Sequence, residues 1–200
     1  MARSTWYTYL PYNGITMNEQ LDAQLCKKYP LLFKDRNGDM RTTAMVWGFC
    51  HGDGWFNIID VLCWHLHHKY DDARSHHEYL ISRLGKPKWG DETTKNSILV
   101  TQEDIDAAWS KVEEEAVKVP TVVQVKEKFG TLRFYVSGAT EAQYNYISFA
   151  ESMSGVTCET CGSPGKRLGR GWIYTACETH AEDDDWAESL KEDDDEETVA

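Results

Sequence analysis

Apolar residues recur along this chain with two periods, and each change of period marks where a helix gives way to a strand. Behind Asn18, Leu21 and Leu25 fall on one helical face, and Tyr29-Pro30 closes the segment, which predicts a helix over 18–28. An Asn-Gly turn inside RNGD at 36–39 leads to an apolar run, 44–50, that reads as a buried strand or an extended lead-in. The GDGW turn follows. Its Asp53 is placed to cap a helix over 55–70, where Ile58, Ile59, Leu62, Cys63 and Leu66 share a face. A separate helix is expected over 71–84, then a Gly/Pro-marked loop through about residue 95. Thr101 and Asp104 have capping-box spacing, so a helix should run from there to 116.

The stretch TVVQVKEKFGTLRFYV at 121–136 changes to a period of two and reads as a β-hairpin. Val123, Val125, Leu132, Phe134 and Val136 are assigned to its core face, and Lys126, Lys128 and Arg133 to the other. Thr140 and Gln143 form a second capping box, opening a helix to 153 with Ile147, Ala150 and Met153 inward. The pattern predicts an α+β fold of helices packed on a small antiparallel sheet. The expected organisation is a core over 1–154, a small module over 155–181 docked on it, and a tail over 182–200.

Charge redraws the last of these boundaries. Of a net −12, the residues from Ala181 onward carry −10, from eleven acids against Lys191 alone. The body is close to neutral, and a block this acidic is expected to stay solvated and disordered. The first residues, MARSTWYTYLPYNG, lack the apolar core of a secretory leader. No apolar run approaches the roughly 18 residues of a membrane helix. Cys26, Cys50 and Cys63 are scattered among apolar positions, which suits a reducing cytosol.

Cys158, Cys161, Cys177 and His180 have the spacing C-x2-C-x15-C-x2-H. Two thiolates on one tight turn converge on a single ion, and the C-x2-H half completes a tetrahedral set, so one structural zinc is expected here. Between the halves, glycines, Pro164 and the run Trp172-Ile173-Tyr174 suggest a short hairpin. Ala181, Trp186 and Leu190 then permit a helix whose first turn offers Cys177 and His180. A knuckle, a hairpin and a helix describe a treble-clef-like zinc module. Residues 162–176 contain no His, Asp or Glu, which argues against the nuclease variants of that fold.

The module's hairpin carries Lys166, Arg167 and Arg170 instead. Together with Lys126, Lys128 and Arg133 these are the candidate contacts to phosphate, weighed against an ordinary solvated face. An acidic tail folding back on such a patch would compete with nucleic acid. His65, His67, His68, His76 and His77 invite a second metal site, but no cysteine or carboxylate is spaced to complete it, and a polar helix face is the simpler reading. Cys50-His51 and Cys63/His67 lack a third residue to orient a base. The glycines of GDGW serve a tight turn more readily than an anion site.

Three stretches carry a resemblance: WGFCHGDGW, VVQVKEKFGTLRFYV, and AESMSGVTCETCGSPG with GWIYTACETHA. Together they resemble a family of uncharacterised proteins carried by tailed bacteriophages and prophages, over most of residues 25–181. The family pattern places the cysteine directly before the GDGW turn, whereas His51 intervenes here. The resemblance implies expression in the cytoplasm of an infected bacterial host cell, and a role in host manipulation, counter-defence or phage nucleic-acid metabolism. It supplies no catalytic residue.

The expected function is therefore a non-catalytic, zinc-stabilised phage binding protein that contacts nucleic acid or a nucleic-acid-handling host complex. The alternative is a protein-targeted host-takeover or counter-defence inhibitor with the acidic tail as a DNA mimic. A weaker alternative is an enzyme using the GDGW turn and its histidines.

Overall fold

The computed structural model describes residues 16–88, 98–182, 185–186 and 188–189. The expected leader-free start, the far part of the loop predicted through 95, and most of the acidic tail, Leu190 included, lie outside the described residues.

Helix α1 (Glu19–Lys28) starts where Asn18 accepts the Gln20 N–H at 2.8 Å and stops at Lys28, two residues before Pro30. The apolar run after it is not one strand. Ala44–Trp47 form a 3-10 turn capped by Thr43, and only Phe49–Cys50 (β1) are extended. Asp53 caps no helix; Asp53–Trp55 make a second 3-10 turn, and the Asp53 carboxylate accepts the Asn18 N–H at 2.7 Å.

Helix α2 (Phe56–Ser82) is one continuous element of 27 residues, where two helices were expected. No Gly or Pro interrupts 56–82, and the expected break at 70–71 is spanned by His67 bonding the Asp71 carboxylate, four residues on, at 2.7 Å. Helix α3 (Gln102–Ala116) and helix α4 (Glu141–Ser154) open on the capping boxes of Thr101/Asp104 and Thr140/Gln143. Met153, assigned inward in α4, is 39% exposed.

Strands β2 (Thr121–Lys128) and β3 (Thr131–Ser137) form the hairpin. Two features of it differ from expectation. First, β1 pairs parallel with β2, through Phe49 opposite Val125, so the three-stranded sheet β1-β2-β3 is mixed rather than antiparallel. Second, the register shifts between Val122 and Gln124, which makes Val123 a bulge residue. Val122 and Val125 are therefore the fully buried pair of β2, where strict alternation selects Val123.

One face of this sheet packs on α2 and α4. Tyr29, Phe49, Trp55, Ile59, Leu132 and Phe134 are at the centre of the core so formed. A second, much smaller core lies in the C-terminal module, where Leu168 and Ala176 pack with Cys158 and Cys177. Strands β4 (Lys166–Leu168) and β5 (Tyr174–Ala176) make its antiparallel hairpin. Among the described residues, no helix is long and apolar enough to cross a membrane.

Candidate metal centre

The C-x2-C turn leaves α4 through Thr157 and reverses at Gly162, whose φ of +77° is left-handed and whose N–H reaches the Cys158 carbonyl at 2.9 Å. Burial pushes the Cys158 thiol up, against backbone N–H groups of Cys177, Cys161 and Thr160 that favour its thiolate. The Ser163 hydroxyl and N–H hold the Cys161 thiol down at about 6. The second half comes from the end of β5. Cys177 and His180 bracket a 3-10 turn, Glu178–His180, and not the first turn of an α-helix as expected; extended backbone at Ala181 ends it.

The four donor atoms lie within 4.8 Å of one another. His180 Nδ1 is 3.3 Å from Cys177 Sγ and 3.7 Å from Cys158 Sγ, and Cys161 Sγ is 3.7 Å from Cys177 Sγ. A tetrahedron with bonds of about 2.0–2.3 Å has edges of about 3.3–3.8 Å, so these separations suit a single ion at the centre. Cys158, Cys161, Cys177 and His180 could thus bind one metal ion, with every tetrahedral position supplied by protein. Among the described residues they form the one Cys/His/acid group gathered closely enough to do so.

The GDGW turn is the seat of this centre. Gly54 N–H donates to the Glu159 carbonyl at 2.7 Å, Gly52 N–H to the Glu159 carboxylate at 2.9 Å, and Trp55 Nε1 to the Thr157 carbonyl at 2.8 Å. A Cβ on Gly54 would overlap the Cys158 carbonyl oxygen and crowd Gly162 N and Cys161 N. Both glycine N–H groups that could have faced an anion are occupied by the knuckle. Burial raises the Glu159 carboxyl above its ordinary range, and the Gly52 N–H opposes that shift.

His51, the residue inserted into the resembling motif, is fully buried, donating from Nδ1 to the Gly52 carbonyl at 2.8 Å. Burial lowers its pKa from 6.5 to about 4. A cleft of about 560 Å³ between the turn and the module is lined by Asp53, Glu159, Trp172, Tyr174, His180 and Glu182, among others. His51 is not in it, and His65 is stacked on Tyr146 with ring centres 4.7 Å apart, so neither joins Asp53 there. His68 stacks on Trp64, and His77 lies against Trp109.

The six basic candidates divide into two sets. Lys126 and Arg133 are cross-strand neighbours on the solvent face of β2–β3, and Lys128 is two residues further along. Among the described residues none of the three is in an ion pair, although Arg133 donates to the Thr131 hydroxyl at 2.6 Å and to the Leu132 carbonyl at 2.7 Å. Lys126 and Lys128 stand over the rings of Tyr135 and Phe129, the latter 60% exposed. The module's cations are engaged within the chain. Arg167 donates to the Phe129 carbonyl at 2.9 Å, which ties the two hairpins together, and Arg170 pairs with Glu188 at 3.1 Å. Lys166 lies over the Trp186 ring, 5.9 Å from its centre.

The described part of the tail is accordingly docked, where a solvated chain was expected from 182. Asp185, Trp186, Glu188 and Ser189 have helical backbone, and Tyr174 OH donates to Asp185 at 2.8 Å while accepting the Glu182 N–H at 3.0 Å. Sequence reasoning missed Glu159 and the seating role of Gly54; the Gly-x-Gly spacing before an apolar helix was the available signal. No protein-family model matches this chain, and neither the curated proteins nor the solved structures searched contain a match to it.

Proposed function

We propose that this chain is a non-catalytic, zinc-stabilised binding protein that contacts nucleic acid, or a host complex handling nucleic acid, through the solvent face of the β2–β3 hairpin. The observation that carries this reading is the cross-strand pair Lys126–Arg133, joined by Lys128, in no ion pair among the described residues and flanked by Tyr135 and Phe129. Unneutralised cations on a paired strand meet phosphate without first breaking an internal salt bridge, and the adjacent rings offer stacking surface for bases.

Zinc is the ion proposed for the Cys158, Cys161, Cys177 and His180 set, because three thiolates and one imidazole suit its softness and its tetrahedral preference. With no open coordination position, its task is to hold a treble-clef-like module against the GDGW turn. The motif resemblance to phage and prophage proteins supports a setting in the infected bacterial cytoplasm, with host takeover or counter-defence as the process served.

The test is a fluorescence-anisotropy titration of labelled single- and double-stranded oligonucleotides across a range of salt. The wild-type chain should bind with a steep inverse dependence on salt. The double variant K126A/R133A should weaken binding to all sequences alike and reduce the logarithmic salt slope by about 0.7–0.9 per lost contact. Binding unchanged by the double variant would remove the hairpin face from the account. No nucleic-acid binding, with a host protein retained after nuclease treatment, would favour the rival inhibitor that uses the acidic tail as a DNA mimic.

A further inference from the structure

Glu151 and Ser154 of α4 bond the N–H groups of Phe134 and Leu132, at 2.9 and 2.7 Å, so that flank of the helix faces the sheet. Tyr146, Phe149 and Met153 are left on another flank, beside α2, and between the two helices runs a groove of about 520 Å³. Leu62 and Ala150, both buried, are among its lining residues. Ile58, Val61, Phe149 and Met153 also line it, with the stacked pair His65 and Tyr146.

This face is unusual in area and in charge. Val61 is 58% exposed, Tyr146 44%, Phe149 69% and Met153 39%, and at the rim Trp64, 49% exposed, lies against His65 with ring centres 4.9 Å apart. Large side chains at these exposures leave roughly 500 Å² of apolar surface together, at the upper end of what a monomer leaves uncovered. Among the described residues no Lys, Arg, Asp or Glu lines the groove, in a chain whose charged fraction is 27%. A strongly charged partner would leave its own charges unpaired there. Of the net −12, −10 lies from Ala181 onward and only −2 on the rest of the chain, so this uncharged face meets a second copy of itself without like-charge repulsion.

We infer that this face pairs with the same face of a second copy about a two-fold axis, α2 and α4 of each chain forming a four-helix interface. Roughly 500 Å² from each copy reaches the total of about 1,000 Å² that separates a specific interface from an incidental contact. Phe149, the most exposed large side chain of the face, enters the partner copy's groove, and by symmetry its own groove receives the partner copy's equivalent ring. The β2–β3 hairpin lies on the sheet side of α4, so the dimer leaves one basic face free on each copy.

Sedimentation velocity of the full, metal-loaded chain between about 1 and about 100 µM tests this, since mass action makes a dimer concentration-dependent. The wild-type chain is expected to sediment as a dimer at the upper end. Phe149→Glu and Val61→Lys each should raise the dissociation constant at least about 30-fold. Circular dichroism and metal content should stay unchanged in both, because both positions are more than half exposed. A wild-type monomer at every concentration overturns the inference, as does a dimer that survives both substitutions. A chain lacking residues 1–15 that dimerises where the full chain does not would assign the groove to the N-terminal segment, and also overturns it.

Discussion

Gly54 and the Cys158 carbonyl are in contact so close that no side chain fits between them, although 104 residues separate the two in sequence. The glycine of a turn that reads as a helix start is the surface on which the metal knuckle rests. Its own N–H and those of Gly52 and Trp55 then fasten the knuckle's backbone and the Glu159 carboxylate. The two hairpins meet a second time where Thr175 Oγ1 bonds the Gly130 carbonyl.

Gly54→Ala should therefore destabilise the protein by about 1–3 kcal/mol through overpacking against rigid backbone. Gly171→Ala, where a Cβ meets nothing within 4 Å, should be close to neutral. Thermal denaturation of both variants measures the difference. Equal midpoints would mean that the module is not seated on the turn.

Chelation should act unequally on the two cores. The module buries little more than Leu168 and Ala176 besides its own ligands, too little to hold a fold without the ion, whereas the main core is extensive. Removing metal is expected to expose residues 155–181 to limited proteolysis while helical circular dichroism is largely kept. Cys158→Ser should do the same without chelator. Protease resistance of the metal-free chain would contradict a structural role.

Burial of His51 makes stability depend on pH in one direction. The folded protein takes up a proton there only near pH 4, whereas the unfolded chain does so near its ordinary 6.5. Stability is thus complete above 6.5 and falls as pH drops towards about 4, below which both states are protonated and the loss stops growing. The full effect is roughly 3 kcal/mol. The difference in unfolding free energy between wild type and His51→Asn, followed from pH 7 to 4, should shrink by that order. A constant difference would show that the imidazole does not titrate as its burial demands.

Deleting residues 182–200 removes the Arg170–Glu188 pair, the Trp186 ring over Lys166 and ten net negative charges. Oligonucleotide affinity should rise several-fold, most strongly at low salt. Unchanged affinity would make the docked tail a packing element only.

Capping boxes are the local signals the structure bears out, whereas Asp53, which reads as a helix cap, and the break expected at 70–71 show that other local signals mislead. Thr101 and Thr140 announce their helices because a capping box is complete within four residues. Cys158, Cys161, Cys177 and His180, gathered closely enough to bind one metal ion, are legible as a set because each half is a four-residue motif. Val123 was misassigned because a bulge is a property of the pairing with β3, and alternation along one strand cannot show it. The parallel pairing of Phe49 with Val125 joins residues 76 apart and leaves no local trace in a two-residue strand. Trp186 fits the helix that Ala181 and Leu190 permit, and the acidity around it and Glu188 predicts a solvated tail, yet an aromatic ring and a single ion pair dock that turn.

The central claim is that one ion bound by Cys158, Cys161, Cys177 and His180 holds the module on its seat. X-ray absorption at the zinc edge, on chain purified without added metal, measures this most directly. The account predicts one zinc per chain with three sulfurs at about 2.3 Å and one nitrogen at about 2.0 Å. A metal-free folded chain, or a zinc with an oxygen ligand in place of sulfur, would contradict it.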